Sequence, residues 1–294
     1  MTMIPFDDRD GVLWMNGELK PWRDAKLHVL NHGLHYASAV FEGVRAYGGE
    51  IFKLREHTER LFFSADTMGF EIPYSMEEID DACNQVIKEM NITNGYLRPI
   101  AWRGSEMMAV SAQKSKIHVA IAAWDWPTYF TTEQRLAGIR MDWAMYKRPS
   151  PETIPCKTKA AGLYMICTLS KHAAEAKGYA DALMLDWRGY VAEATGANIF
   201  FVKDGEIHTP DPDCFLDGIT RRTVIDLAKA RGYKVQQRHI MPEELANFDE
   251  AFLVGTAVEV TPISEIGEHT FKPDQVTKTL MQDYDDLVFN RASA

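Results

Sequence analysis

The chain has 294 residues, 46% hydrophobic and 25% charged, which excludes a disordered chain, a collagen and a small disulfide scaffold. Its 32 Lys and Arg against 42 Asp and Glu give a formal charge of −10, so bulk charge does not draw it to nucleic acid. Four scattered cysteines, with no Cys-x-x-Cys pair and no histidine at ligand spacing, argue against a metal site and for reduced thiols in the cytoplasm.

The N-terminus, Met1 to Asp10, carries acids where a secretory leader has a basic region, and no run approaches about 18 apolar residues; the chain reads as neither secreted nor membrane-spanning. Asn16-Gly17 between Val12–Met15 and Glu18–Lys20 predicts a hairpin. A second is expected from Phe41–Tyr47, Gly48-Gly49 and Glu50–Leu54, then a helix over Glu56–Met68. Ser75 followed by Glu78 is a capping box, and Ile79, Cys83, Val86, Ile87 and Met90 make one apolar stripe behind it. Tyr96–Trp102 and Ile117–Ala123 read as buried strands. Periodicity then lapses around Pro127. The organisation expected is therefore a small N-terminal α+β domain (1–126), a linker (127–136) and a larger C-terminal domain (137–294).

In the second part a strand at Ile139–Ala144 and a Pro-rich loop, Arg148–Pro155, precede a helix from Ala161 to Lys177 closed by Gly178. Short strands are expected at Ala182–Asp186, Tyr190–Glu193, Ile199–Val202 and Ile207–Thr209. Gly218-Ile219-Thr220 opens a helix ending at Gly232. Phe252–Val260 reads as one strand interrupted at Gly255-Thr256. A last helix follows Pro273, with Val276, Leu280, Tyr284, Leu287 and Val288 on one face.

Lys159, with Ala160-Ala161-Gly162 after it, has room beside it for a flat ligand and can act as a nucleophilic amine, although a surface lysine reads the same way. Glu193 ends a strand before small residues; it is either an acid aimed at a cationic ring nitrogen or an exposed strand end. Gly218-Ile219-Thr220 is either an anion site at a helix N-terminus or an ordinary helix start. Gly255-Thr256-Ala257 offers a second set of donors or a bulge, and Arg60 fits a surface or a phosphate. The aromatics from Trp124 to Tyr129 suit a pocket or a domain contact.

Order and spacing join these signals. From Glu193 the chain reads Glu-Ala-Thr-Gly-Ala-Asn-Ile-Phe, then six residues, Ile207-His208-Thr209, six more, and Leu216-Asp217-Gly218-Ile219-Thr220-Arg221. This resembles the signature of the class-IV (fold type IV) pyridoxal-phosphate aminotransferases. Phe41-Glu42-Gly43-Val44-Arg45, Tyr96-Leu97-Arg98-Pro99, Lys159–Tyr164 and Gly255–Pro262 are similar to segments of the branched-chain amino-acid aminotransferases, so the resemblance spans about residues 30 to 265. It implies a mixed α/β, two-domain fold with pyridoxal 5'-phosphate at the domain interface and a homodimer or larger homo-oligomer.

By the same resemblance Lys159 is joined covalently to the cofactor, Glu193 pairs with its pyridine nitrogen and Tyr164 lies by its ring hydroxyl. Arg60, the turn at Gly218 with the N–H groups of Ile219 and Thr220, and Thr256 hold the phosphate. The N–H groups of Thr256 and Ala257 take the substrate carboxylate. Phe41, Met108, Val110, Trp126 and Tyr129 form the side-chain pocket, Arg98 beside Tyr96 meets a glutamate γ-carboxylate, and Tyr36, Met108 and Val110 come from the partner subunit. Asp217 departs from the family, which commonly has proline there, and so do the charges of Trp102–Met107. The activity implied is ping-pong transamination between Leu, Ile or Val and 2-oxoglutarate. Relatives of the fold act instead on D-amino acids or (R)-amines or cleave aminodeoxychorismate, and a non-catalytic binding module is the reading from another class.

Overall fold

Asn16 and Gly17 adopt φ of 54° and 96°, the left-handed region these two residues tolerate best. They reverse the chain between β1 (Val12–Met15) and β2 (Glu18–Pro21), which pair antiparallel with Met15 opposite Glu18. The structure is a computed structural model that describes residues 4–126 and 135–289. Tyr129 and most of the expected linker lie outside the described residues.

A short helix without a clear sequence signal, α1 (His32–Tyr36), precedes β3 (Ala39–Phe41), β4 (Val44–Tyr47) and β5 (Glu50–Ile51). The strand expected from Phe41 to Tyr47 is thus two strands, parted at Glu42-Gly43. Gly43 is required there, because a Cβ would sit 1.9 Å from the Tyr96 hydroxyl. Then come α2 (Leu54–Thr67), α3 (Met76–Glu89), β6 (Gly95–Arg103) and β7 (Ile117–Asp125). The capping box is made in both directions: Glu78 N–H donates to Ser75 Oγ at 3.2 Å and Ser75 N–H to Glu78 Oε2 at 2.7 Å. Seven strands form a sheet in the order β2-β1-β7-β6-β4-β5, with β3 also on β6. Leu13, Met15, Trp22, Ala39 and Trp102 make a core cluster of this unit.

The second unit begins with β8 (Ile139–Trp143). A 3-10 turn, Ala161–Tyr164, leads into α4 (Met165–Ala176), so the single helix expected from Ala161 starts one turn later. Gly178, at φ 84°, ends α4 as expected. Strands β9 (Asp181–Leu185), β10 (Val191–Ala194), β11 (Asn198–Lys203) and β12 (Glu206–Thr209) follow. Next are α5 (Ile219–Ala230), β13 (Val235–Gln237), β14 (Glu250–Gly255), β15 (Glu259–Ile266), β16 (His269–Thr270) and α6 (Gln275–Val288). The nine-stranded sheet runs β10-β9-β8-β15-β14-β11-β12-β13, with β16 on β15. β8 pairs parallel with both β9 and β15. Its core packs Met141, Leu183, Ile199, Phe201, Leu253 and Ile263.

Two further expectations change. Phe252–Val260 is no single strand but a hairpin, because the chain turns between Gly255 and Glu259 and β14 pairs antiparallel with β15. On α6, Val276, Leu280, Tyr284 and Val288 are buried while Leu287 is 41% exposed.

The chain divides into Met1–Pro127 with Thr158–Gly162, and Thr128–Lys157 with Leu163–Ala294. The residues around Lys159, expected in the second domain, belong with the first unit because their backbone is held there. Ala160 bridges Val40, Phe41 N–H donates to the Lys159 carbonyl at 3.1 Å, and Lys159 N–H donates to Ser64 Oγ at 3.0 Å.

Candidate active site

In the first unit the backbone contacts of residues 158–160 carry the Lys159 side chain to Phe41, its Nζ lying 5.2 Å from the ring centroid. Strand β6 supplies the next two residues on one face. Tyr96 and Arg98 alternate in register, and Arg98 Nη2 donates to the Tyr96 hydroxyl at 3.1 Å. The Arg98 guanidinium also lies 4.7 Å from the Phe41 centroid, and the Tyr96 ring is 5.4 Å from that of Trp126. Five residues singled out in the sequence, Phe41, Tyr96, Arg98, Trp126 and Lys159, therefore fall in one cluster: an apolar wall with an amine and one guanidinium.

Arg60 is placed differently from a simple phosphate ligand. Its Nε and Nη2 each donate at 2.7 Å to the buried carboxylate of Glu42, and His57 Nδ1 lies 2.7 Å from the same group. Burial alone would raise the Glu42 carboxyl, but Arg60 and His57 outweigh it and hold it well below the usual carboxylate range. His57 is pushed down by burial, with Glu42 opposing.

In the second unit Glu193, on β10, is 8% exposed. Asn198 Nδ2 donates to its Oε2 at 3.1 Å, and Arg148 Nε lies 3.3 Å from its Oε1. Asn198 also joins this acid to the start of α5: Nδ2 donates to the Leu216 carbonyl at 3.0 Å, and Oδ1 accepts from Gly218 N–H at 3.2 Å. Gly218 is the N-cap and offers no side chain to the helix N–H groups, so the first turn at Ile219 and Thr220 retains its capacity for an anion. A Cβ on Gly218 would fall 2.2 Å from Asn198 Oδ1, which explains the glycine.

Asp217, the departure from proline, accepts a 2.8 Å bond from Arg221 Nη1. Arg221 is itself buried and donates to the Pro210 carbonyl and Gln237 Oε1, both at 3.0 Å. That pairing fixes the turn from the other side. Thr256 is half-buried and Ala257 exposed in the β14–β15 turn. The turn is tightened by a 2.5 Å bond from the Thr261 hydroxyl to the Val258 carbonyl and by Glu259 at φ 52°. A Cβ on Gly255 would meet that of Ala197 at 3.5 Å, so this turn lies against the loop that follows Glu193.

A model of the class IV amino-transferase family matches residues 39–266. The chain belongs to the class IV aminotransferases. It is 44% identical to the branched-chain-amino-acid aminotransferase of Pseudomonas aeruginosa over 98% of this chain and 96% of that protein. The Escherichia coli K12 protein of the same name is 39% identical, covering 92% and 90%. Among solved structures, the T.th. branched-chain amino acid aminotransferase with pyridoxamine 5'-phosphate superposes with a TM-score of 0.94 at 38% identity, over 97% of this chain and 96% of that one.

In this class IV aminotransferase three of the expected site residues lie on the surface of the first unit. Tyr36, Met108 and Val110 are 45%, 40% and 86% exposed, and His32, stacked on Tyr36 at 4.6 Å, bonds the Ala109 carbonyl. They form one outward surface. Tyr164 is half-buried at the end of the 3-10 turn, among the groups whose charge acts on Arg148. Glu42, His57, Arg148 and Asn198 escape the sequence reading. Glu42 lies in the Phe41–Arg45 segment and Asn198 in the long signature, so both belong to motifs that give them no role of their own. Nothing local marks Arg148 or His57.

The four cysteines are free and buried. Burial pushes the Cys167 thiol up to about 11 and that of Cys214 to about 12, so neither is a nucleophile near neutrality. Among the described residues the one group with metal-ligand spacing is Asp186, Asp213 and Cys214. Arg188 Nη2 already bridges its two carboxylates at 2.7 and 2.8 Å.

Proposed function

We propose that this class IV aminotransferase is a branched-chain L-amino-acid transaminase, moving the amino group between Leu, Ile or Val and 2-oxoglutarate with pyridoxal 5'-phosphate in a ping-pong cycle. The observation that carries the reading is Asn198, which ties a buried acid to a glycine-capped helix start. An acid for a ring nitrogen and a place for a phosphate are thus supplied by one hydrogen-bonded unit. A structure of the T.th. enzyme with N-(5'-phosphopyridoxyl)-L-glutamate superposes with a TM-score of 0.92 at 37% identity.

Each unit has donors that fit the cofactor: a lysine amine in the first, and in the second a buried carboxylate and backbone N–H groups at a helix N-terminus. When bound, pyridoxal phosphate supplies the electron sink that makes the substrate Cα–H acidic and carries the amino group between substrates. Lys159 would hold it covalently, with Glu193 for its ring nitrogen and Tyr164 for its ring hydroxyl. Arg60 would take the phosphate with Thr256 and the N–H groups of Ile219 and Thr220. Freed when the substrate amine takes its place, Lys159 Nζ would take the Cα proton as base and deliver it as acid to the cofactor carbon that Lys159 had held.

Thr256 and Ala257 N–H groups orient the substrate carboxylate. Phe41, Trp126 and Tyr129 exclude water from an apolar side chain, and Arg98, held by Tyr96, meets the γ-carboxylate of glutamate. One pocket then serves both substrates, because Arg98 lies against its apolar wall.

The chain acts as a homodimer in this reading, with Tyr36, Met108 and Val110 offered to the partner's pocket. Leu27, Val29 and Leu34, 55%, 67% and 71% exposed, line an apolar cavity of about 430 Å³ beside them, a surface that asks for a cover. The cytoplasm is the compartment that suits the four free, buried thiols. Among the described residues no helix is long and apolar enough to cross a membrane.

An absorbance spectrum of the purified protein before and after L-leucine tests the reading. The bound aldehyde's band should fall as the amino form's rises, and borohydride should fix the cofactor on Lys159. A protein free of vitamin B6 that still converts leucine ends the reading. Faster turnover of D-alanine or (R)-1-phenylethylamine, or release of pyruvate from aminodeoxychorismate without an amino acceptor, assigns another subfamily.

A further inference from the structure

Arg148 follows β8 at the head of the Pro-rich loop, and its backbone is fixed to β9: its N–H donates to the Leu185 carbonyl at 2.7 Å and it bridges Asp186. The side chain is 5% exposed. Nη1 contacts Cys167 Sγ at 3.4 Å, a weak acceptor for so strong a donor. Nε makes no hydrogen bond, yet it stands 3.3 Å from Glu193 Oε1. A buried cation held this way, without a full set of bonds of its own, is costly unless its charge is used.

The groups around the pair are few. Glu193, Cys167, Tyr164 and Cys156 interact electrostatically with Arg148. Besides Arg148 and Asn198, the Glu193 carboxylate interacts with Arg221 and Cys167. Both cysteine thiols are raised by burial, which leaves Glu193 as the anion that faces Arg148.

We propose that Arg148 is a positioning residue that keeps Glu193 ionised, so that a carboxylate and not a carboxylic acid meets the cofactor's ring nitrogen. This rests on the pairing of Glu193 with that nitrogen given above. The physical choice is between two places for one proton. In a site of low dielectric, a pyridinium beside a carboxylate competes with a neutral pyridine beside a carboxylic acid. A cation paired with the carboxylate makes it the weaker base and so favours the first arrangement and with it the protonated ring. Asn198 cannot do this alone, because its amide is neutral and fixes the position of Oε2 without supplying charge.

The test is infrared spectroscopy of the full chain freed of cofactor at neutral pH, on wild type, Arg148→Met, Arg148→Lys and the double variant Arg148→Met with Glu193→Gln. Arg148→Met should gain the carbonyl band of a protonated, buried carboxyl. Arg148→Lys should lack that band, and the double variant should lose it. Absence of the band in a folded Arg148→Met, or its survival in the double variant, overturns the proposal. If Arg148→Met does not fold, Arg148→Gln, which keeps a donor but no charge, is expected to show the same band, and its absence there is equally decisive. Because the band is read without cofactor, its failure is distinct from failure of the transaminase reading, which a colourless preparation would reveal.

Discussion

Among the candidate site residues, Glu42 in the first unit and Glu193 in the second are each buried against an arginine, and the two pairs are built differently. Glu42 takes two parallel 2.7 Å bonds from Arg60 and a third contact of 2.7 Å from His57. Glu193 takes a 3.1 Å bond from a neutral amide and faces Arg148 at 3.3 Å without a hydrogen bond. The first is a doubly bonded pair that fixes the Arg60 guanidinium, with geometry that repays the desolvation of both charges. In the second, a neutral amide holds one oxygen and a cation faces the other. Burial and charge sign alone would not distinguish them; the kind of donor and the contact lengths do.

Glu42→Gln is the strongest way to break this contrast. It leaves Arg60 buried opposite an amide that can accept only one of its two bonds, and it should cost about 3–5 kcal/mol of stability, read as the shift in free energy of denaturant unfolding. A cost under about 1 kcal/mol would mean that the pair holds nothing. Acid should act through the same pair. The folded Glu42 carboxyl lies below its ordinary range and His57 is likewise lowered, so the unfolded chain binds more protons in both windows. Stability should fall as pH drops through the histidine range and again through the carboxylate range. Glu42→Gln should flatten the second fall in a pH series of unfolding curves.

Glu193→Gln should show the reverse balance. The amide keeps the shape and one acceptor for Asn198, so the stability change should stay within about 1–3 kcal/mol, while turnover drops on the order of 10²–10³-fold through loss of the charge that stabilises the protonated ring. Steady-state kinetics alongside denaturant unfolding measures both on one preparation. A stability loss equal to that of Glu42→Gln with turnover nearly intact would exchange the two roles.

Much of this is legible in the residues because the signals are local. Asn16-Gly17 and the Ser75–Glu78 box name their own turn and cap, and Glu193, Gly218 and Lys159 stand in a spacing that only a family pattern explains. What escapes depends on long-range contact. Arg148 is 45 residues from Glu193 in sequence and His57 is 15 from Glu42, and no periodicity links either pair. The hairpin at Gly255 reads as one interrupted strand because both flanks are equally apolar, and a buried hairpin and a buried strand share that composition. The first turn of the helix after Lys159 misleads for a related reason, since Ala161-Gly162 carries no cap to fix where helical bonding begins.

Gly218→Ala sharpens the second pair without touching a charge. The backbone at φ −63° and ψ 139° accepts alanine, so any effect comes from the Cβ 2.2 Å from Asn198 Oδ1. The amide must move, and with it the bond to Glu193. Overpacking of this kind costs about 1–3 kcal/mol, and pyridoxal phosphate affinity, measured by fluorescence titration of the cofactor-free chain, should weaken more than that of pyridoxal if the turn holds the phosphate.

The smallest effect is a control in the first unit, away from both acids. Ser75→Ala removes the acceptor for Glu78 N–H and opens one half of the capping box, while the Glu78 side chain can still accept from the backbone of residue 75. The expected cost is about 1 kcal/mol, read by denaturant unfolding, with turnover unchanged because α3 contributes no residue to either cluster. A loss of turnover here, at so small a cost in stability, would mean that activity follows the global stability of the first unit, and Glu42 and Glu193 could then no longer be separated by kinetics.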